Sequence, residues 1–78
     1  MMYDVKEFEE VFKEMSEGSG RVQVYMKLSW GEKHGEDFHY LDNHDIVSYR
    51  VIGEGKVRLT GDDGICLDVY VYDIYSLM

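Results

Sequence analysis

The stretch Ile65-Cys66-Leu67-Asp68-Val69-Tyr70-Val71-Tyr72-Asp73-Ile74-Tyr75 decides how the rest of the chain is read. It alternates with a period of two, as a strand does when its two faces meet different surroundings. Ile65, Leu67, Val69 and Val71 form one face, which is expected to be core. Cys66, Asp68, Tyr70, Tyr72 and Ile74 form the other. That second face carries two tyrosines and a carboxylate where a plain solvent face would carry Lys, Thr and Glu.

Reading backwards from this strand, Gly61-Asp62-Asp63-Gly64 is a hairpin turn with a favourable Asp-Gly pair. Lys56–Thr60 is a strand with Val57 and Leu59 inward and Lys56, Arg58 and Thr60 outward. Gly53-Glu54-Gly55 turns the chain tightly. Ile46–Ile52 is a strand in which Val47, Tyr49 and Val51 oppose Ile46, Ser48, Arg50 and Ile52. Glu36–Asp45 reads as a short irregular strand through Phe38 and Tyr40, followed by a loop, because Asp42-Asn43-His44-Asp45 is turn chemistry. Gly31–Gly35 is expected to turn the chain. Arg21–Trp30 alternates Val22, Val24, Met26, Leu28 and Trp30 with polar residues, a half-buried strand.

Residues 4–16 are the only helix expected. Val5, Phe8, Val11, Phe12 and Met15 make one apolar stripe, Asp4 is the N-cap with Glu7 three residues on, and Tyr3 and Phe8 occupy the staple positions. Gly18-Ser19-Gly20 stops it. The expected architecture is α+β, an N-terminal helix packed on an antiparallel sheet of about five strands, as a single domain over residues 1–78. Its core is Val5, Phe8, Phe12, Met15, Val22, Val24, Met26, Leu28, Val57, Leu59, Leu67, Val69 and Val71. One helix covers one sheet face, so the other must be polar, curl over, or meet a partner.

The 78 residues carry sixteen acids against eight bases, a net charge of −8. This opposes direct binding to nucleic acid, which needs clustered Lys and Arg. Hydrophobic content of 45% is ample for a folded domain. Cys66 is the sole cysteine, so no intrachain disulfide forms, and no apolar run is long enough for a signal peptide or membrane span. A cytoplasmic protein is expected.

Few residues suggest chemistry. His34, His39 and His44 stand at five-residue steps among Asp37, Asp42 and Asp45, and a divalent-metal site there is an alternative. The steps place successive histidines on opposite faces of a strand, and solvated loop histidines account for them. Gly61–Gly64 lacks the alternating acids and distal Glu of a calcium loop. Gly53-Glu54-Gly55-Lys56 lacks the spacing of a phosphate loop. Cys66 reads as a small buried residue within a strand, and no serine sits in an elbow motif. No enzyme and no cofactor are expected.

Surfaces offer more. Tyr25, Tyr70 and Tyr72 lie on the non-core side of two strands, a composition common in recognition surfaces, although such rings also simply cover a sheet. A second copy could pack on that face with Ile74, so a homodimer is expected. Residues 1–20 and 31–45 are each net −4. Glu9, Glu10, Glu14, Asp37, Asp42 and Asp45 can therefore imitate the charge spacing of a nucleic-acid backbone and occupy a basic groove; a merely solvated acidic surface is the simpler alternative.

His44-Asp45-Ile46-Val47-Ser48-Tyr49-Arg50-Val51-Ile52 resembles a recurrent element near the end of many short tailed-phage and prophage proteins, with Ser48 where Ala is usual. In size and charge the chain is also similar to phage accessory proteins that block host defence machinery, some of which mimic DNA. The resemblance implies a non-enzymatic inhibitor or modulator acting in the host cytoplasm on a protein partner with a basic surface. The alternative from another class is an oligomeric assembly module built through the tyrosine face.

Overall fold

The computed structural model describes residues 3–78; Met1 and Met2, at the head of the stretch read for a targeting signal, lie outside them. The elements are helix α1 (Val5–Gly18), strand β1 (Val24–Met26), helices α2 (Leu28–His34) and α3 (Glu36–Asn43), then β2 (Ile46–Gly53), β3 (Lys56–Gly61), β4 (Cys66–Tyr70) and β5 (Ile74–Leu77). A 3-10 turn, Val71–Asp73, joins the last two strands. The fold is α+β with five strands, divided between an antiparallel meander β2-β3-β4 and an antiparallel pair β1-β5.

α1 forms where its stripe and cap place it. Asp4 is extended, and its Oδ1 accepts the Glu7 N–H at 2.7 Å, satisfying one of the free donors of the first turn. Tyr3 packs against the core that contains Phe8, so both staple residues point inward. The helix ends at Gly18, where the Ser19 N–H donates to the Met15 carbonyl. Phe8 and Phe12 meet Tyr49 of β2 edge-on, at 5.1 and 4.9 Å between ring centroids. Tyr49 pairs with Leu59, so α1 covers the sheet face that carries Val57, Leu59, Leu67 and Val69.

The stretch 65–75 is not one strand. β4 ends at Tyr70, and the 3-10 turn carries the chain into the second sheet, a corner of the kind that lets one strand serve two sheets. The turn also resets the periodicity. Buried positions advance by two from Val69 to Val71, then by three to Ile74 and by three to Leu77. Ile74, expected on the outward face, is therefore fully buried. Ile65, expected in the core, leaves the Gly61–Gly64 turn before β4 begins and is 51% exposed. Cys66, expected to be buried, is exposed on the outer face of β4.

The larger correction lies at residues 27–43. The expected strand Arg21–Trp30 stops at Met26, because the Lys27 carbonyl accepts the N–H groups of Trp30 and Gly31 and opens a helix. Leu28, expected in the core, is 78% exposed, while Trp30 is buried and stacks on His34 one turn later at 4.5 Å. The expected turn Gly31–Gly35 lies mostly within α2, and Gly31 lets the α3 ring of Phe38 sit against the helix backbone. A Cβ at Gly31 would come within 2.7 Å of that ring. The expected irregular strand at 36–45 is α3. Acids Glu36 and Asp37 open its first turn, and Phe38 and Leu41 project inward one turn apart. Gly35, at φ +42°, makes the sharp joint between the two helices.

Of the other expected core residues, Val5, Met15 and Leu67 are half-buried against the core and the remainder are buried. Trp30, Leu41, Ile46, Ile74 and Leu77 join them. The open side of the meander carries Ser48, Arg50, Arg58 and Asp68 together with the exposed ring of Tyr70. No helix of the described residues is long and apolar enough to cross a membrane.

Candidate functional site

Three arrangements of polar and aromatic residues stand out, on α1, on the outer face of the meander, and at the turn after β3. On α1, Glu7, Glu10, Glu14 and Glu17 recur at steps of three and four, so they line one stripe, and all four are exposed. None belongs to an ion pair among the described residues. The last turn has no basic residue, so Glu14 and Glu17 face the negative end of the helix dipole. Glu10 and Glu14, one turn apart, repel each other as well. Lys13 stands beside them. Glu9 lies apart from the stripe and accepts the Tyr49 hydroxyl at 3.0 Å. Burial, then that bond to Glu9, raises the Tyr49 phenol. An open cavity of about 440 Å³ runs between Glu9, Glu10, Glu17 and Lys13, with Phe12 and Tyr49 also lining it.

The other acids expected at a binding surface do not join this stripe. Asp37 and Asp42 are exposed on α3 but, five residues apart, project roughly 140° from one another. Asp45 is structural. Its Oδ2 accepts Arg21 Nε at 3.0 Å, its carbonyl accepts the Asp62 N–H, and its Oδ1 is buried without a partner.

The outer face of the meander is cationic. Arg50, Arg58 and Asp68 stand in register across the three strands, and Lys56 pairs with Tyr70 one step along. Arg58 donates to both Asp68 oxygens, at 2.7 and 3.1 Å, which holds the Asp68 carboxyl below the usual carboxylate range. Arg50 has no acidic partner among the described residues. Lys56 Nζ lies 5.2 Å from the centre of the Tyr70 ring, within reach of a cation–π attraction. Tyr70 stacks on Tyr72 at 5.0 Å, both exposed. Tyr25, expected beside them, belongs to the β1-β5 pair, where its hydroxyl donates to Gln23 at 2.7 Å. The expected tyrosine face is thus two separate places, and Ile74 contributes to neither.

This cationic face was missed in the sequence because a bulge creates it. A two-residue turn at Glu54-Gly55 with regular pairing would set Val51 opposite Arg58. Instead Ile52 is the extra residue, so Val51 pairs with Val57 and Arg50 with Arg58. The register, not the alternation within either strand, sets the two arginines side by side.

The three histidines do not converge. His34 stacks on Trp30, His39 lies on α3, and only His44 joins a group with metal-ligating atoms mutually within 4.8 Å, the others being Asp62 and Asp63. Three such atoms could hold a divalent ion, but each already has a role in closing the turn onto α3. His44 Nδ1 lies 2.8 Å from Asp62 Oδ1. Asp63 Oδ1 accepts the Tyr40 hydroxyl and the Ile65 N–H, and Tyr40 stacks on His44 at 4.3 Å. Burial, then the bond to Asp63, pushes the Tyr40 phenol well above its ordinary value. The sequence signal for this cluster was the Asp-Asp-Gly turn itself, which shows no partner until the fold brings α3 over it.

Compared with family models, with curated proteins and with solved structures, the chain matches none.

Proposed function

We propose that this chain is a non-enzymatic binding protein that engages a basic surface of a protein partner through the acidic stripe of α1. One observation carries the reading: Glu7, Glu10, Glu14 and Glu17 are exposed, lie outside every ion pair of the described residues, and stand where two of them oppose the helix dipole. Glu7 in the first turn suits the dipole, and Lys13 offsets part of the charge. Glu14 and Glu17 oppose the dipole and Glu10 repels Glu14, so the natural complement of the C-terminal part of the stripe is a cation supplied from outside. Successive carboxylates rise by about 4.5–6 Å along the helix, a charge ladder that a groove built for a nucleic-acid backbone can accept. A nucleic-acid-handling protein is therefore the partner class, and modulation or inhibition by occupying its groove is the action. The similarity in size and charge to phage accessory proteins that block host machinery agrees with that action.

The test is capture of a partner from lysate by the wild type and by Glu10→Lys/Glu14→Lys, at low and high salt. Raising salt from 0.1 to 1 M shortens the Debye length from ~10 to ~3 Å. Binding should be lost at high salt and in the reversed variant, mainly through slower association. Binding that survives both would end the reading.

A further inference from the structure

The molecule carries its opposite charges on opposite sides. α1 lies on the inner face of the meander, held there by the Phe8, Phe12 and Tyr49 rings, with its glutamate stripe exposed. Arg50, Lys56 and Arg58 stand on the outer face of the same three strands, with Asp68 as the one acid among them. A chain of net charge −8 thus presents a locally positive face beneath an acidic helix.

We propose that copies of this chain associate head to tail, the α1 stripe of one copy docking on the cationic outer face of β2-β3-β4 in the next. The spacings agree. Carboxylates on the stripe rise by about 4.5–6 Å, while Lys56 stands about 6.6 Å along β3 from Arg58 and Arg50 about 5 Å across from it. Arg58 is engaged by Asp68, so Arg50 and Lys56 are, among the described residues of this face, the cations free to receive the stripe. The stacked Tyr70 and Tyr72 rings supply exposed apolar area beside the charges, the kind of rigid contact that interfaces favour. A two-fold contact of this face with itself would set Arg50 and Arg58 near their own copies, so like charges oppose the closed dimer. Since donor and acceptor faces lie on opposite sides, the contact is heterologous and does not close at two copies. It uses the stripe on which the proposed function rests, so self-association and partner binding exclude each other.

Charge reversal on each side tests it, with circular dichroism to verify that each variant is folded. At about 0.1 M salt, where a Debye length of ~10 Å screens the net charge of −8 on each copy but leaves close contacts, the weight-average mass of the wild type should rise with concentration past that of two copies. At 1 M salt, with a Debye length of ~3 Å, it should return to the monomer. Arg50→Glu/Lys56→Glu and Glu10→Lys/Glu14→Lys should each remain at the 9.2 kDa of one chain. Mixed in equal amounts they should associate again, because each then offers the face that the other lacks. A wild type that stays monomeric at about 0.1 M salt, or a mixture that stays monomeric there, overturns the proposal, as does a dimer indifferent to salt. Arg50→Glu/Lys56→Glu keeps the stripe intact, so its partner capture tests the proposed function separately.

Discussion

At the scale of single residues, the carboxylates divide into those the fold has committed and those it leaves free. Asp63 is held below the usual carboxylate range by the Tyr40 hydroxyl first and then by the Ile65 N–H; Asp68 is held there by Arg58. A carboxyl with a depressed folded pKa adds stability above its ordinary pKa, near 4, and loses it as pH falls through the lower folded value. The midpoint of urea unfolding should therefore drop progressively below about pH 4. The double variant Asp63→Asn/Asp68→Asn should start lower at neutral pH and show a flatter acid limb. An acid limb of unchanged steepness in that variant would show that neither carboxylate matters to acid unfolding. The committed acids were not legible in the sequence, where Asp63 is one of two adjacent aspartates in a turn. Only the approach of α3 singles it out.

At the scale of elements, the lesson lies where periodicity changes. Helix α1 was legible almost to its ends because cap, stripe and stop agree, each a local signal. The hairpins of β2-β3-β4 were legible for the same reason. Arg21–Trp30 was not, because its alternation continues smoothly while the backbone leaves the strand at Lys27. A window of alternating residues fits a strand and, over one turn, also a helix with Trp30 inward. The 3-10 turn after Tyr70 likewise breaks the alternation and moves Ile74 from the expected outer face to the core. The two positions give opposite expectations. Ile74→Ala should cost about 2–5 kcal/mol, the usual range for a buried Ile. Leu28→Ala should stay within about 0.5 kcal/mol, as exposed positions do. Chemical denaturation of both variants checks the pair, and a large loss at Leu28 would contradict its place on the outside of α2.

At the scale of the whole molecule, the excess of acids acts on the fold itself. With net charge −8 and an unpaired stripe on α1, self-repulsion lowers the stability of the compact state. In dilute solution, raising ionic strength from 0.01 to 0.15 M shortens the Debye length from ~30 to ~8 Å and should raise the melting temperature. In a domain this small each kcal/mol gained corresponds to about 4–8 °C. Glu10→Gln/Glu14→Gln should melt higher at low salt and respond less to added salt. A melting temperature that falls with salt would mean that attractions, not repulsions, dominate the surface.

The sequence alone determined the fold class, the helix α1 with its cap, the two hairpins of the meander and most of the core, because each follows from contacts between residues close in the chain. It also determined the acidity of α1. Tertiary structure alone decided that Asp45 is a structural acid and that Tyr25 sits apart from Tyr70 and Tyr72. It likewise decided that His44 meets Asp62 and Asp63 rather than the other histidines. The cationic outer face belongs to the same class. It depends on a one-residue bulge at Ile52, and in a sheet a shift of one residue changes which side chains stand together. Such a shift is set by packing across strands, which no local pattern records.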